Sequence, residues 1–394
     1  MHLCHRSCLQ IIRRYPPLDK DISVVIPAYN AARTVGRAIN SVLDFDAALE
    51  WEIIVVNDGS TDETRAVVEK LEQSHANILL INQKNKGRSE ARNTGVSFAT
   101  ARWVMFLDSD DVLLNSGAPS LVSAARDTSA QLHVFPMLVS DDGVTSEALR
   151  DSCAALSFEV SAREIVESMA TAAGFPRTVS LTGTFFEANS PCARLYQRSF
   201  LQSLVDSGLS GFCPFPRGVR FSEDRLFNIA YLTLPGVSRV LFWPSSPIYC
   251  WDLGESSTVG KVNPEDGSDI PLFATRSFEL VDDGKVTVKT ADKLVLREIL
   301  TKLLRAGSLT GVEQTREAIS IWRSVALDSC IMHCLERCRG NVVLIGYKRR
   351  FQPMMNALVR GDAESAFLWA RLWATLHKWA DFFKCNLRGS SDVT

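Results

Sequence analysis

The apolar positions of the first 110 residues alternate between two periods. Ile22 to Ile26 is a short, nearly continuous β-branched run closed by Pro27, the pattern of a strand buried on both faces of a parallel sheet. Val35, Ala38, Ile39, Val42 and Leu43 then recur at helical spacing, and Trp51 to Val56 forms a second run stopped by Asn57-Asp58-Gly59. Ser60, with Glu63 three residues on, predicts a capping box that opens a helix carrying Val67, Val68 and Leu71. Ile78 to Ile81 reads as a third strand. A helix after Gly87 runs through Ala91 and Val96, and the strand Trp103 to Leu107 leads straight into Asp108-Ser109-Asp110-Asp111. This alternation predicts a doubly wound α/β sheet.

The pattern then loosens. Leu121 to Ala125 predicts a helix and Leu132 to Phe135 a strand, but from Asp141-Asp142-Gly143 the periodicity weakens. Ile165, Val166 and Met169 suggest one helix there, while Thr182-Gly183-Thr184 and Asn189-Ser190-Pro191 mark loops. From about residue 260 onward, beginning with Leu294, Ile299, Leu303 and Leu304, amphipathic helices continue almost to the end. The expected organisation is an extension over 1–20, an α/β domain over 21–258 with halves meeting near 136, and a helical appendage over 259–394.

Two strand ends bearing aspartates, Asn57-Asp58-Gly59 and Asp108-Ser109-Asp110-Asp111, change this picture from a fold to a site. In open α/β sheets ligands bind at the carboxyl ends of the strands, so distant acidic ends point to one pocket. Composition narrows the ligand. A formal charge of −2 over 394 residues, 22% of them charged, supplies no field for polyanions, which disfavours a nucleic-acid partner. The cysteines follow no secreted spacing and read as reduced thiols of a cytoplasmic protein. Cys330, Cys334 and Cys338, with His333 among them, share a helical face; a soft-metal site and simple burial are both open readings. No signal-peptide core precedes Pro16-Pro17, and no run reaches the ~18 apolar residues of a membrane span.

Four segments in order resemble the inverting glycosyltransferases of family 2, which have the GT-A fold: Val25-Ile26-Pro27-Ala28-Tyr29-Asn30, Val56 to Asp62, Gly87-Arg88-Ser89-Glu90-Ala91-Arg92-Asn93 and Phe106 to Asp111. The resemblance covers roughly residues 21 to 258. It implies a Rossmann-like nucleotide-diphospho-sugar transferase sheet and transfer of one hexosyl or N-acetylhexosaminyl group, from a UDP-sugar, to a glycan or lipid-linked acceptor in bacterial surface-polysaccharide assembly. It implies Mn2+ or Mg2+ on Asp110, with Asp108 on the ribose or a metal-bound water; hard cations want such carboxylate oxygens. By the same resemblance Asp58 accepts a hydrogen bond from uracil and Pro27, Ala28, Tyr29 and Asn30 cradle base and ribose; for Arg88 and Arg92, contact with phosphate and a place on a helix surface are both open readings. Arg220 to Phe227 matches the family's Glu-Asp pattern, making Asp224 the general base and Glu223 an orienting or acceptor-binding residue. Arg194 stands where relatives often carry lysine. Tyr249 to Thr258 resembles a loop that closes over the donor, with Trp251 and Ser257 as candidates there, although Asp252 replaces a frequent arginine.

Three alternatives are weighed against this reading. A nucleotidyltransferase wants a glycine-rich loop where Pro27-Ala28-Tyr29-Asn30 stands, and a processive synthase wants membrane spans and a glutamine-to-arginine-tryptophan signature after Asp224. A sensor or scaffold that binds nucleotide sugar without turnover keeps the pocket but has no use for a base. The stripe Phe367, Leu368, Trp369, Leu372, Trp373, Leu376, Trp379 and Phe383, flanked by Arg371, Lys378 and Lys384, suits a face packed on its own domain, a second copy of the chain, or peripheral membrane contact over about 366–384 on the inner face of the cytoplasmic membrane.

Overall fold

A computed structural model describes residues 20–45, 48–140, 157–170, 184–185, 189–206, 214–220, 222–244, 246–252, 262–345 and 349–388. Internal contacts divide the chain into two units, Met1–Val166 with Phe175–Val259 and Glu167–Gly174 with Gly260–Thr394.

The first unit opens with β1 (Ile22–Ala28), α1 (Val35–Leu43), β2 (Trp51–Asp58), α2 (Thr64–Ser74), β3 (Ile78–Gln83), α3 (Arg88–Phe98) and β4 (Trp103–Phe106). The strands pair in parallel in the order β3-β2-β1-β4, with Val25 between Ile54 and Phe106. Every residue of β1 is buried, as a strand covered on both faces requires. The helix α1 buries the expected Val35, Ala38, Ile39 and Val42. Gly95 lets α3 lie close on β1, since a Cβ there would overlap the Val25 side chain.

One local expectation is corrected. No capping box forms at Ser60 and Glu63, because α2 starts at Thr64 with Glu63 at the N-cap position and no side-chain bond from it; Asp62 instead serves the first turn. Asp62 Oδ1 accepts from the Thr64 N–H at 3.0 Å and Oδ2 from the Ala32 N–H at 3.1 Å, while Ser60 Oγ accepts from the Asn30 N–H at 2.9 Å. The polar side chains therefore tie the β1 end to the β2 end as well as starting the helix.

The chain continues through β5 (Val112–Leu113), α4 (Ala118–Arg126), β6 (Leu132–Val134), β7 (Met137–Ser140), β8 (Phe158–Ser161), α5 (Ala162–Met169), β9 (Thr184–Phe185), β10 (Arg194–Gln197), α6 (Arg198–Asp206), α7 (Glu223–Leu232), β11 (Arg239–Phe242) and β12 (Tyr249–Asp252). Here the doubly wound expectation gives way to a mixed sheet. The order extends through β4-β10-β6-β11-β8, with β10 antiparallel to both neighbours, and β5-β12-β7-β9 form a small second sheet. Phe215 stacks on Phe227 of α7 with ring centroids 3.9 Å apart, and Phe106 of β4 meets both edge-on at 5.2 and 5.8 Å. This aromatic cluster seats α7 beside the end of β4.

The second unit contains α8 (Ile270–Asp282), α9 (Val288–Ala306), α10 (Val312–Leu327), α11 (Ser329–Cys338), α12 (Gln352–Val359) and α13 (Ala363–Arg388). The α9 face of Val295, Leu296, Ile299, Leu300 and Leu303 is buried with Trp322, Met355, Phe367 and Ala370. Thr287 and Asp328 cap α9 and α11 through their side-chain oxygens. The cysteine ladder is not one cluster. Cys334 and Cys338 lie with Asp292 in a group whose donor atoms fall within 4.8 Å, but His333 is exposed and Arg337 grips the Asp292 carboxylate with Nε at 3.0–3.1 Å and Nη2 at 2.5 Å. No helix of the described residues is long and apolar enough to cross a membrane.

Candidate active site

A cavity of about 660 Å³ opens at the carboxyl ends of β1, β2 and β4, where an open α/β sheet binds ligands. Of the residues singled out in the sequence, Pro27, Ala28, Tyr29, Asn30, Asp58, Arg88, Asp108, Asp110, Asp224 and Trp251 line it. Ser257 lies outside the described residues. Arg92 and Glu223 stand behind the wall, each only 1% exposed.

The wall at β1 and β2 is held from within. Tyr29 remains 51% exposed, its ring free to take a flat ligand, whereas Asn30 is a structural tie. Its backbone adopts φ 51°, and its Oδ1 accepts from the Thr61 N–H at 2.8 Å. Asp58 is 3% exposed, and its carboxylate accepts from Gln83 Nε2 at 2.7 Å and from the N–H groups of Lys86 at 2.9 Å and Gly87 at 2.8 Å. A carboxylate offers about four lone-pair sites, so Asp58 moulds the loop before α3 and keeps capacity for a ligand N–H. Gly59 has φ 73°, and a Cβ there would sit 2.6 Å from the Asn85 backbone nitrogen, so the close approach of the two loops requires glycine.

The acidic segment after β4 divides its labour. Asp111 is buried at the cavity wall: the Tyr249 hydroxyl donates to its Oδ2, and the Asp252 N–H donates to its Oδ1 at 2.9 Å. Burial, then the nearby Asp108 charge, pushes the Asp111 carboxyl up to about 8 against those two hydrogen bonds. This strut to β12 was not foreseen from the sequence, where Asp111 reads as part of a run and Tyr249 as part of a loop. Asp110 stays on the cavity wall, its carboxyl raised by burial and then by Asp108. The Arg37 guanidinium donates to the Asp110 carbonyl oxygen and to Asp252 Oδ2, both at 2.6 Å. A cation thus does stand near Asp252, supplied from α1.

The opposite contribution comes from α7. Almost every residue of this helix is buried. Ser222, just before it, is held at φ 61°, and Ala193, at the start of β10, at φ 56°. Both are non-glycine residues in the left-handed region beside the wall residues Cys192 and Asp224, where such strain concentrates when surrounding structure imposes it. Asn228, one turn after Asp224, accepts from Arg194 Nη1 and the Tyr196 hydroxyl, both at 2.6 Å, and donates to the Asp224 carbonyl oxygen at 2.9 Å. Arg194 is therefore buried scaffolding for the helix that carries Asp224.

Arg92 is placed differently from Arg88. Its guanidinium does not reach the cavity, because two carboxylates draw it inward: Nη1 donates to Asp224 Oδ1 and Nη2 to Asp108 Oδ1, both at 2.7 Å. Burial opposes its charge, yet Asp224 and Asp108 hold it firmly protonated. Arg88 is the arginine on the wall, with Nε 2.5 Å from Glu223 Oε1. Burial, then the Asp224 charge, lifts the Glu223 carboxyl to about 7, partly offset by Arg88 and Arg92.

The fold is an α/β sheet of the GT-A type with a C-terminal helical region. Residues 23–203 match the family described as glycosyl transferase family 2. Among relatives, the chain is 44% identical over 95 residues to the Escherichia coli UDP-Glc:alpha-D-GlcNAc-diphosphoundecaprenol beta-1,3-glucosyltransferase WfgD, covering 24% of this chain and 36% of that protein. It is 35% identical over 131 residues to the succinoglycan biosynthesis protein ExoO of Rhizobium meliloti (strain 1021), covering 32% and 37%. The matches thus span little more than a third of these relatives. The S. aureus TarS 1–349 structure in complex with UDP-GlcNAc superimposes with a TM-score of 0.59 at 19% identity, covering 90% of this chain and 91% of that one.

Proposed function

We propose that the chain is a metal-dependent inverting glycosyltransferase that moves one sugar from a UDP-sugar to a hydroxyl of a glycan or lipid-linked acceptor. The observation that carries this reading is a single cavity lined by Asp58, Asp110 and Asp224. Tyr29 and Asp58 receive the base, and Asp224 takes the proton of the acceptor hydroxyl as its oxygen bonds to the anomeric carbon and the bond to the diphosphate oxygen breaks. The products are an inverted glycoside and UDP. A base so placed contributes about a hundred- to ten-thousandfold in rate.

The donor set fits Mn2+ or Mg2+. Asp110 offers hard oxygens on the wall, and its carboxyl is already destabilised as an anion by burial and by Asp108, a penalty that a divalent cation relieves. Such an ion supplies charge neutralisation to the leaving diphosphate. The names of the relatives, a UDP-glucose-dependent transferase and a polysaccharide biosynthesis protein, favour the same donor and a cell-envelope acceptor.

Titration calorimetry with UDP, GDP and CMP, each with and without Mn2+, tests the pocket. Expected is Mn2+-dependent UDP binding, which Asp110→Ala weakens at least tenfold and Asp224→Asn leaves intact while abolishing transfer. Transfer by Asp224→Asn at the wild-type rate removes Asp224 from the mechanism, and UDP binding with no transfer to any acceptor favours the sensor or scaffold. The start of α13, with exposed Leu368, Trp369 and Leu372 beside the exposed Arg350 and Arg371, supports peripheral contact with an anionic membrane.

A further inference from the structure

Within that reading of the cavity, we propose that Arg92 is a positioning residue for the base rather than a ligand for the donor, and that it locks Asp224 to Asp108 so that attack and departure are held in one frame. The two carboxylates come from elements far apart in the chain: Asp108 follows β4, and Asp224 sits in the first turn of α7. One guanidinium joins them, with Nη1 and Nη2 each 2.7 Å from its own carboxylate, while Glu223 Oε1 lies 4.0 Å from Nη1. The planar fork fixes the spacing and the mutual orientation of the two acids in a way that a point charge cannot. Its face rests over Phe215, with Cζ 5.3 Å from the ring centroid, so the fork is also clamped from the aromatic core.

The burial pattern separates this role from donor binding. Arg92 is 1% exposed, whereas Asp108 is 36% and Asp224 25% exposed at the side chain. The arginine holds both acids from behind, and each presents itself to the cavity. A buried cation of this kind persists only where its partners compensate its desolvation, which here they do from two sides. A shift of the base by about 1 Å is enough to cost on the order of a hundredfold in rate without removing any group that touches substrate.

The test uses the full chain with UDP, UDP-glucose and UDP-GlcNAc as probes. Mn2+-dependent UDP affinity is measured by calorimetry, and release of UDP from each UDP-sugar, with water as acceptor, is followed for wild type, Arg92→Lys, Asp224→Asn and the double variant. Lysine keeps the charge and the fold but loses the fork. Expected for Arg92→Lys is a loss of turnover of about a hundredfold with UDP affinity and donor KM within about threefold of wild type, and no further loss when Arg92→Lys is added to Asp224→Asn. Turnover and UDP affinity falling together make Arg92 a donor ligand and overturn the proposal, as does an additive loss in the double variant. A wild type that fails to bind UDP rejects the donor pocket itself, and one that binds UDP but releases none from either sugar nucleotide rejects turnover; each removes the role of Arg92 on grounds separate from the Arg92 variants.

Discussion

His133 of β6 illustrates how a single buried group sets a pH dependence that has nothing to do with the cavity. It is fully buried, its ring edge-on to Trp103 at 4.9 Å, and Trp243 Nε1 donates to its Nδ1 at 3.2 Å, which makes the ring a neutral acceptor. Burial pushes its pKa down to about 4. In the unfolded chain the ring protonates near 6.5, so between about 6.5 and 4 the unfolded state binds the extra proton. The contribution of His133 to stability is therefore complete above about 6.5 and is lost as pH falls toward 4, a change of about 3 kcal/mol. Asp111 and Glu223, with raised carboxyls, run the other way and lose stabilisation as pH rises. The comparison that isolates the histidine is urea unfolding of wild type against His133→Gln across this range, where wild type should show the steeper fall on acidification. Parallel curves would mean that the ring titrates normally.

At the scale of elements, what the sequence revealed follows from length and distance. The parallel half was legible because β1, β2 and β3 are six to eight residues of mostly apolar chain, separated by helices with a clear buried stripe. In the other half β5, β10, β11 and β12 escaped, being only two to four residues long, too short for a period to show. Their pairing comes from tertiary contacts such as the Asp111 strut to Tyr249 and Asp252. The same rule applies within the site. Asp58 and Asp110 were legible as acids at strand ends, a local signal. The inward turn of Arg92 was not, since its partner Asp224 lies 132 positions away and a helical arginine carries no mark of which way it faces. The aromatic stripe near the end of the chain was only half informative: spacing marked a helix, but not that Phe367 and Ala370 pack inward while Leu368, Trp369 and Leu372 face out.

For the molecule as a whole, a formal charge of −2 leaves no general attraction to an acidic surface, so any membrane affinity must be local. The C-terminal unit supplies both required components in one place. Leu368, Trp369 and Leu372 are 61%, 46% and 50% exposed, and Trp369 and Leu372 share a groove with Arg350, whose guanidinium lies 4.0 Å from the Trp373 ring centroid. Apolar side chains that enter the interface contribute on the order of 1 kcal/mol or more each, and a nearby arginine adds about 1 kcal/mol when the lipid is anionic. Neither component is sufficient for stable attachment alone, which predicts a salt-sensitive and reversible association. Flotation with phosphatidylcholine vesicles, with and without phosphatidylglycerol, should show binding only to the anionic vesicles, reduced tenfold or more by Trp369→Glu with Leu372→Glu and weakened by salt. Binding that ignores lipid charge removes the arginines from the account. If the double variant floats like wild type the face lies elsewhere, and if light scattering instead shows a dimer that the variant dissolves, a second copy of the chain covers it.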